Sequence, residues 1–192
     1  KSRPSFQVIA REEALSQRFE NFVLNVRIDR IDQLDDGAHA LIDYKTGKHT
    51  ASPKSWMDGR PEDMQLPLYH YIASSNDISF INAVVVAHLN AEKIGYSGIA
   101  DSNSFSDQIR PIEAQTWTEL SWNETTESWA SKVEYFAAEF NCGVADVNPV
   151  DPAKTCSYCG LKALCRIQEI NSDQFSITLE SEIDTSHGFS DQ

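Results

Sequence analysis

The sequence predicts an α/β fold, a central mixed β-sheet flanked by helices, and three observations carry that prediction. First, two aliphatic-rich runs, Phe22–Leu34 and Ala38–Lys45, are joined by Asp35-Asp36-Gly37. Glycine tolerates the positive φ that a short hairpin loop needs. Second, Ile78–Leu89 is a nearly continuous apolar run around Val84-Val85-Val86, as in a strand buried on both faces at the centre of a sheet. Third, the segments opening at Pro61 and Pro111 space their apolar residues as helices do. A chain of 192 residues holds one domain, or one domain with a tail, and a substantial core.

The hairpin carries chemistry. A turn centred on Asp36 sets Asp29 opposite Asp43, with Cβ atoms about 5 Å apart. Lys45, two residues on, projects from the same face. Directly opposed carboxylates destabilise a sheet unless a cation lies between them. Two hard oxygen ligands on a rigid hairpin suit Mg²⁺ or Mn²⁺. The neighbouring ammonium can orient an attacking water or stabilise charge developing on a phosphate. The same spacing also fits a solvated hairpin with scattered charges.

Arg27-Ile28-Asp29-Arg30-Ile31-Asp32, then Ile42-Asp43-Tyr44-Lys45-Thr46-Gly47, then Gln65-Leu66-Pro67-Leu68-Tyr69 resemble, in that order, the motifs of the PD-(D/E)XK nuclease superfamily. The likeness is strongest to its RecB/AddB-like branch and covers roughly Phe6 to Arg166. It implies a restriction-endonuclease-like core and metal-dependent cleavage of DNA, with an exonuclease type expected over an endonuclease. By the same resemblance, Asp29 and Asp43 bind Mg²⁺ or Mn²⁺ with the backbone carbonyl of Tyr44. Lys45 then assists the attacking water, and Gln65 and Tyr69 lie beside the site on the following helix. Members of that branch often add a Glu before the hairpin, a place that Glu12 or Glu13 fills; the other is then an exposed turn acid. Some add an upstream His, but none of the five histidines here precedes the first motif.

Taken in order, Phe6–Ile9 reads as a first strand, and Leu15–Phe22 leads into the hairpin. Lys48–Arg60 is a polar connection expected to cross over the site. Its Trp56 and Arg60 can touch a DNA base and phosphate, although Trp56 equally suits packing the loop onto the core. Pro61-Glu62-Asp63 reads as a helix start, with Leu66, Tyr69 and Ile72 as its apolar stripe and Gln65 and Tyr69 on one face. Core packing is the competing role for Tyr69. Lys93–Ile99 reads as a further strand and Ser102–Asp107 as a polar loop. Pro111–Phe140 reads as one long helix, or two broken near Trp122-Asn123, anchored by Trp117, Trp129, Val133, Phe136 and Phe140.

Cysteine gives the second strong signal. Cys156, Cys159 and Cys165 place three thiols within ten residues, a soft-metal pattern for an iron–sulfur cluster or Zn²⁺. Four cysteines in 192 residues are too sparse for a secreted disulfide scaffold. AddB-type nucleases have this spacing at the end of the nuclease domain, where a fourth Cys from well upstream completes a [4Fe–4S] cluster. The resemblance thus implies a cluster in the full-length protein, its fourth ligand outside this chain or supplied by Cys142. The three thiols are expected near one another here. The domain is expected over residues 1–166, with a Cys-rich metal-binding segment at 142–166 and a flexible acidic tail at 167–192.

The net charge of −13 argues against generic affinity for nucleic acid. Six of those charges fall in the tail. A start at Lys1-Ser2-Arg3-Pro4 looks like a cut inside a longer protein. The expected setting is a cytoplasmic DNA-repair and recombination protein. Its partners would be DNA and a helicase-like region, either of the same polypeptide or of a partner helicase-nuclease subunit. No apolar run approaches a membrane span. Two rival classes are a catalytically silent DNA-end-binding or scaffolding module stapled by an Fe–S or Zn site, and a Zn-binding interaction module.

Overall fold

The computed structural model describes residues 3–47, 52–92 and 94–165, and the chain divides into two units, Lys1–Val144 and Ala145–Gln192. In the first unit, β1 (Phe6–Phe19), β2 (Phe22–Leu34), β3 (His39–Lys45), β4 (Ile81–Leu89) and β5 (Ile94–Ala100) form one sheet in the order β1-β2-β3-β4-β5. All neighbours pair antiparallel except β3 and β4, which run parallel. A parallel pair needs a long crossover, and residues 46–80 supply it with a 3₁₀ turn at Pro53–Met57 and helix α1 at Gln65–Ser75. The beginning of the expected connection, residues 48–51, lies outside the described residues, as do Lys93 and the tail 167–192.

Where the structure departs from the sequence reading, local chemistry explains it. Strand β1 runs 14 residues rather than four, because a two-residue turn at Glu20-Asn21 pairs Phe19 with Phe22 and lets the two strands zip up along their length. The rings of Phe19 and Phe22 stack at 5.0 Å. Helix α1 starts at Gln65, not Pro61, because the Asp63 carboxylate accepts from the Gln65 N–H at 2.9 Å and opens the helix there. Pro67 then falls in the first turn, where a missing N–H costs nothing. The Pro111 segment begins with a short 3₁₀ turn, and the long helix α2 spans only Trp122–Asn141. Ser121 and Glu124 cap each other's backbone N–H groups in a reciprocal box, which fixes that start.

The sheet separates two cores. On one face Ile28, Ile31, Leu41, Val84 and Val86 meet Leu66, Tyr69 and Ala73 of α1, Trp122 and Trp129 of α2, and Trp56. On the other, smaller residues such as Ala40, Ile42, Ala83 and Val85 are covered by Phe105 and Ile109. The loop expected to be merely polar therefore carries a fully buried phenylalanine. Strand β4 is apolar on both faces, as its sequence predicts, although it stands fourth of five. Phe140 is 70 % exposed and does not anchor the core. With Phe136 it lines an open apolar groove of about 370 Å³ that Phe19, Phe22 and Leu68 share.

The second unit is described over residues 145–165. Helix α3 (Pro152–Thr155) is capped by Asp151, helix α4 (Lys162–Cys165) follows, and neither buries a residue. Tyr158, Leu161 and Leu164 are all exposed, the tyrosine at 97 %.

Candidate active site

Strand pairing puts the acids where the turn predicts. Asp36 Oδ1 accepts from the Ala38 N–H at 3.0 Å and Gly37 adopts φ +81°, so the turn is centred as expected. The β2–β3 ladder pairs Gln33 with His39, Asp32 with Ala40, Ile31 with Leu41 and Arg30 with Ile42. One residue further along that register stand Asp29 and Asp43. Here the strands part: the Tyr44 N–H donates to the Asp29 carboxylate at 2.8 Å instead of to a strand carbonyl. The Tyr44 side chain points away from Asp43 by the strand's alternation, and its hydroxyl accepts from Arg30 Nη1 at 3.1 Å.

Asp43 is only 2 % exposed. Burial is the main force holding its pKa above the ordinary carboxylate range; Lys45 pulls it back down, and the charges of Asp29 and Asp63 push it further up. Oδ1 accepts from Gln65 Nε2 at 2.8 Å. Oδ2 lies 2.9 Å from the Lys45 ammonium, yet no donor is aligned on it, so it is a buried oxygen without a hydrogen bond. Gln65 ties the group together. Its Oε1 accepts from Lys45 Nζ at 2.6 Å, and its Nε2 donates to Tyr69 Oη at 2.8 Å as well as to Asp43. An ammonium can only donate and a carboxylate only accept, so this amide has one possible orientation.

Five residues singled out from the sequence, Asp29, Asp43, Lys45, Gln65 and Tyr69, thus come to one end of β2, β3 and α1. Between Asp43, Lys45, Gln65 and Asp63 is a cavity of about 10 Å³, floored by Trp56 and Val86, roughly the space of one water-sized occupant. Trp56 is a correction: at 2 % exposure, edge-on to Trp129 at 6.0 Å, it belongs to the core and offers no face to a DNA base. Arg60 is exposed on the protein surface. Glu12 takes φ +51° and pairs with Arg27 at 2.9 Å in the open, while Glu13 is half-buried; neither lines the cavity. Asp63 is the residue that sequence reasoning missed. The sequence alone gives its acid to a helix's first turn, whereas an Asp two residues before Gln65 is also the pattern of a carboxylate bonding the N–H two residues on.

Cys159 Sγ accepts from the Leu161 N–H at 3.4 Å, and Cys165 Sγ donates to the Lys162 carbonyl at 3.7 Å. All four cysteines are free thiols. The three thiols expected together do not form a ready ligand set: among the described residues no three His, Cys, Asp or Glu side chains are grouped to hold a metal ion. The acid pocket in turn offers hard carboxylate oxygens, with Oδ2 of Asp43 lacking an aligned hydrogen bond, a donor chemistry that fits Mg²⁺ or Mn²⁺.

The sequence pattern of the PD-(D/E)XK nuclease superfamily matches residues 1–166. The chain belongs to that superfamily. This PD-(D/E)XK nuclease domain is also similar to a solved structure titled "Crystal structure of SSO0001", at 17 % identity and a TM-score of 0.41, over 81 % of this chain. The chain spans 59 % of that protein's length. No curated protein matches it. The superfamily is one of nucleases, and the five-stranded mixed sheet with its flanking helices is consistent with a restriction-endonuclease-like α/β core. Among the described residues no helix is long and apolar enough to cross a membrane.

Proposed function

We propose that this PD-(D/E)XK protein is a metal-dependent deoxyribonuclease of the RecB/AddB-like type, acting in DNA repair and recombination. The observation that carries the reading is the buried, unsatisfied Oδ2 of Asp43 beside the Lys45 ammonium. A buried carboxylate oxygen short of aligned hydrogen-bond donors is costly, and acids perturbed in this way cluster at functional sites. Asp43 and Asp29, with the Tyr44 carbonyl, are the groups that would hold Mg²⁺ or Mn²⁺. When bound, the cation supplies Lewis-acid polarisation of the phosphate and a more acidic water.

The chain's own residues do the remaining work. Lys45 directs its ammonium at the attacking water and at charge gathering on the phosphate oxygens. Gln65 fixes the distance between Lys45 and Asp43 through one rigid amide, and Tyr69 holds that amide from below. Arg60 contributes a surface charge for the DNA backbone. Of the two upstream acids Glu12 is engaged by Arg27, which leaves Glu13 as the candidate for the metal-side role. The acidic surface leaves most of the DNA grip to a helicase-like region or partner subunit, in the cytoplasm. The cysteine spacing supports a [4Fe–4S] cluster in a longer protein, with Zn²⁺ as the alternative. Such a site closes only when a fourth ligand, outside this chain or Cys142, joins Cys156, Cys159 and Cys165.

The test is cleavage of linear and circular DNA by the full-length protein with Mg²⁺ or Mn²⁺, beside Asp43→Asn. Degradation of linear DNA alone supports the exonuclease type. Absence of cleavage in the wild type, with metal bound, would replace the reading by a catalytically silent DNA-end-binding module.

A further inference from the structure

The crossover from β3 to α1 places a third carboxylate at the cavity. Asp63 is half-buried, two residues ahead of Gln65, and its Oδ1 accepts from the Gln65 N–H at 2.9 Å. Met64, the residue in the N-cap position of α1, makes no side-chain cap of its own, so this bond is what opens the helix. The side chain that α1 then presents is Gln65, whose amide holds both Asp43 and Lys45. Capping alone does not call for an acid: Asn or Ser accepts the same N–H equally well. A charged residue here instead adds repulsion against Asp43, whose carboxylate is buried and whose Oδ2 faces the same cavity without a hydrogen bond. Among the described residues, the cation that acts on Asp43 is Lys45, against the added charges of Asp29 and Asp63.

We propose that Asp63 is a positioning residue of the metal pocket: it sets Gln65 through the backbone and adds the negative charge that draws a divalent cation to the orphan oxygen of Asp43. The inference rests on the nuclease reading above and adds a residue to it. Asp63 acts through Gln65 and through space, and is not itself required as a ligand. The excess of negative charge is relieved when a double charge enters, so cation binding and pocket order rise together.

Two substitutions separate the roles. Asp63→Asn keeps an oxygen for the Gln65 N–H and removes the charge; Asp63→Ala removes both. The measurement is binding of MnCl₂ to the 192-residue chain, by calorimetry and by loss of the free-ion electron paramagnetic signal, with thermal melts alongside. Asp63→Asn is expected to weaken Mn²⁺ binding by roughly tenfold, the scale of one charge acting at short range near a protein surface, while the melting temperature holds or rises. Asp63→Ala is expected to weaken binding at least as much and to melt lower. Binding by Asp63→Asn within twofold of the wild type would overturn the proposal and leave Asp63 a helix cap. Asp43→Asn serves as the control on the pocket itself. If that variant bound Mn²⁺ as the wild type does, the nuclease reading would fail, whatever Asp63 did.

Discussion

Two aspartates lie buried in the same hairpin, and the fold treats them in opposite ways. Asp32, fully buried on β2, accepts from Arg30 Nε at 2.7 Å, Arg30 Nη2 at 3.0 Å and Arg3 Nη1 at 2.7 Å. Arg3 in turn lies over the rings of Phe6 and Phe105 at 3.9 and 4.1 Å. Asp43 on β3, nearly as deep, has one amide, one poorly aligned ammonium and two repelling acids. A carboxylate enclosed by two guanidinium groups is a structural device, satisfied within the chain. Asp43, whose Oδ2 faces a cavity with the Lys45 ammonium beside it but no aligned hydrogen bond, is the one proposed to take a ligand. The contrast teaches that burial alone does not separate the two acids; the surroundings of the second oxygen do.

The largest effect expected from this contrast is on cleavage. Asp43→Asn should lower the cleavage rate by ~10²–10³, the usual cost of one well-placed electrostatic group, while the melting temperature stays level or rises. Burial already disfavours the charged form of Asp43, so removing that charge relieves the fold. A variant that kept full activity, or that unfolded, would make Asp43 another Asp32.

Asp32→Asn should do the reverse. Removing one partner of a buried ion pair costs about 3–5 kcal/mol, here by leaving Arg3 and Arg30 facing a neutral amide. Chemical denaturation would read this as a lower midpoint, and calorimetric Mn²⁺ binding at temperatures where the variant is folded should be unchanged. A loss under 1 kcal/mol would mean that the arginine pair is a surface feature of little weight.

The same contrast explains what the sequence made legible. Asp-Asp-Gly fixes a turn, a turn fixes a register, and the register brings Asp29, Asp43 and Lys45 to one end of the hairpin. Gln65 and Tyr69 follow from helical spacing. The sheet and its apolar β4 follow from patterning. What escaped depended on contacts between distant residues. Arg3 meets Asp32 across 29 positions, and no local rule announces it. Trp56 is core because Trp129, far along the chain, closes over it. The length of β1 escaped because Arg11, Glu12, Glu13 and Ser16 look like loop residues. They are a strand with one exposed face, paired along its length by β2. Asp63 escaped because the sequence alone points to a helix start at Pro61, four residues before the observed one.

Acid titration tests the contrast with a third, half-buried group. His70, wedged edge-on against Trp122 and Trp129, has its pKa lowered by burial to about 4, against a weaker opposing pull from the Ile81 carbonyl. The folded value lies below the unfolded one, so the folded state favours the neutral ring. Stability from this site is complete above about pH 6.5 and is lost as pH falls toward 4, by up to about 3 kcal/mol. Asp43 has the opposite sign: its pKa is raised by burial, so acid relieves it. Urea melts between pH 7 and 4 should fall steeply for the wild type and less for His70→Phe. An equal slope in both would place the acid sensitivity elsewhere.

The smallest expected effect concerns the residue that joins the two aspartate environments. Arg30 holds Asp32 through two nitrogens and reaches the Tyr44 hydroxyl with its third. Its pKa is raised, chiefly by the hydrogen bond to Asp32. Arg30→Lys keeps the charge and removes the planar fork, so Asp32 retains Arg3 and one ammonium rather than a bidentate partner. About 1 kcal/mol of stability should go, since the group is partly in solvent and one ion pair remains. Tyr44 sits between Asp43 and Lys45 in the chain, but its side chain lies across the strand from theirs. Mn²⁺ binding should therefore change less than twofold. A fivefold loss of Mn²⁺ affinity in Arg30→Lys would show that the paired acid and the unpaired one are coupled through Tyr44, and that the hairpin is one device rather than two.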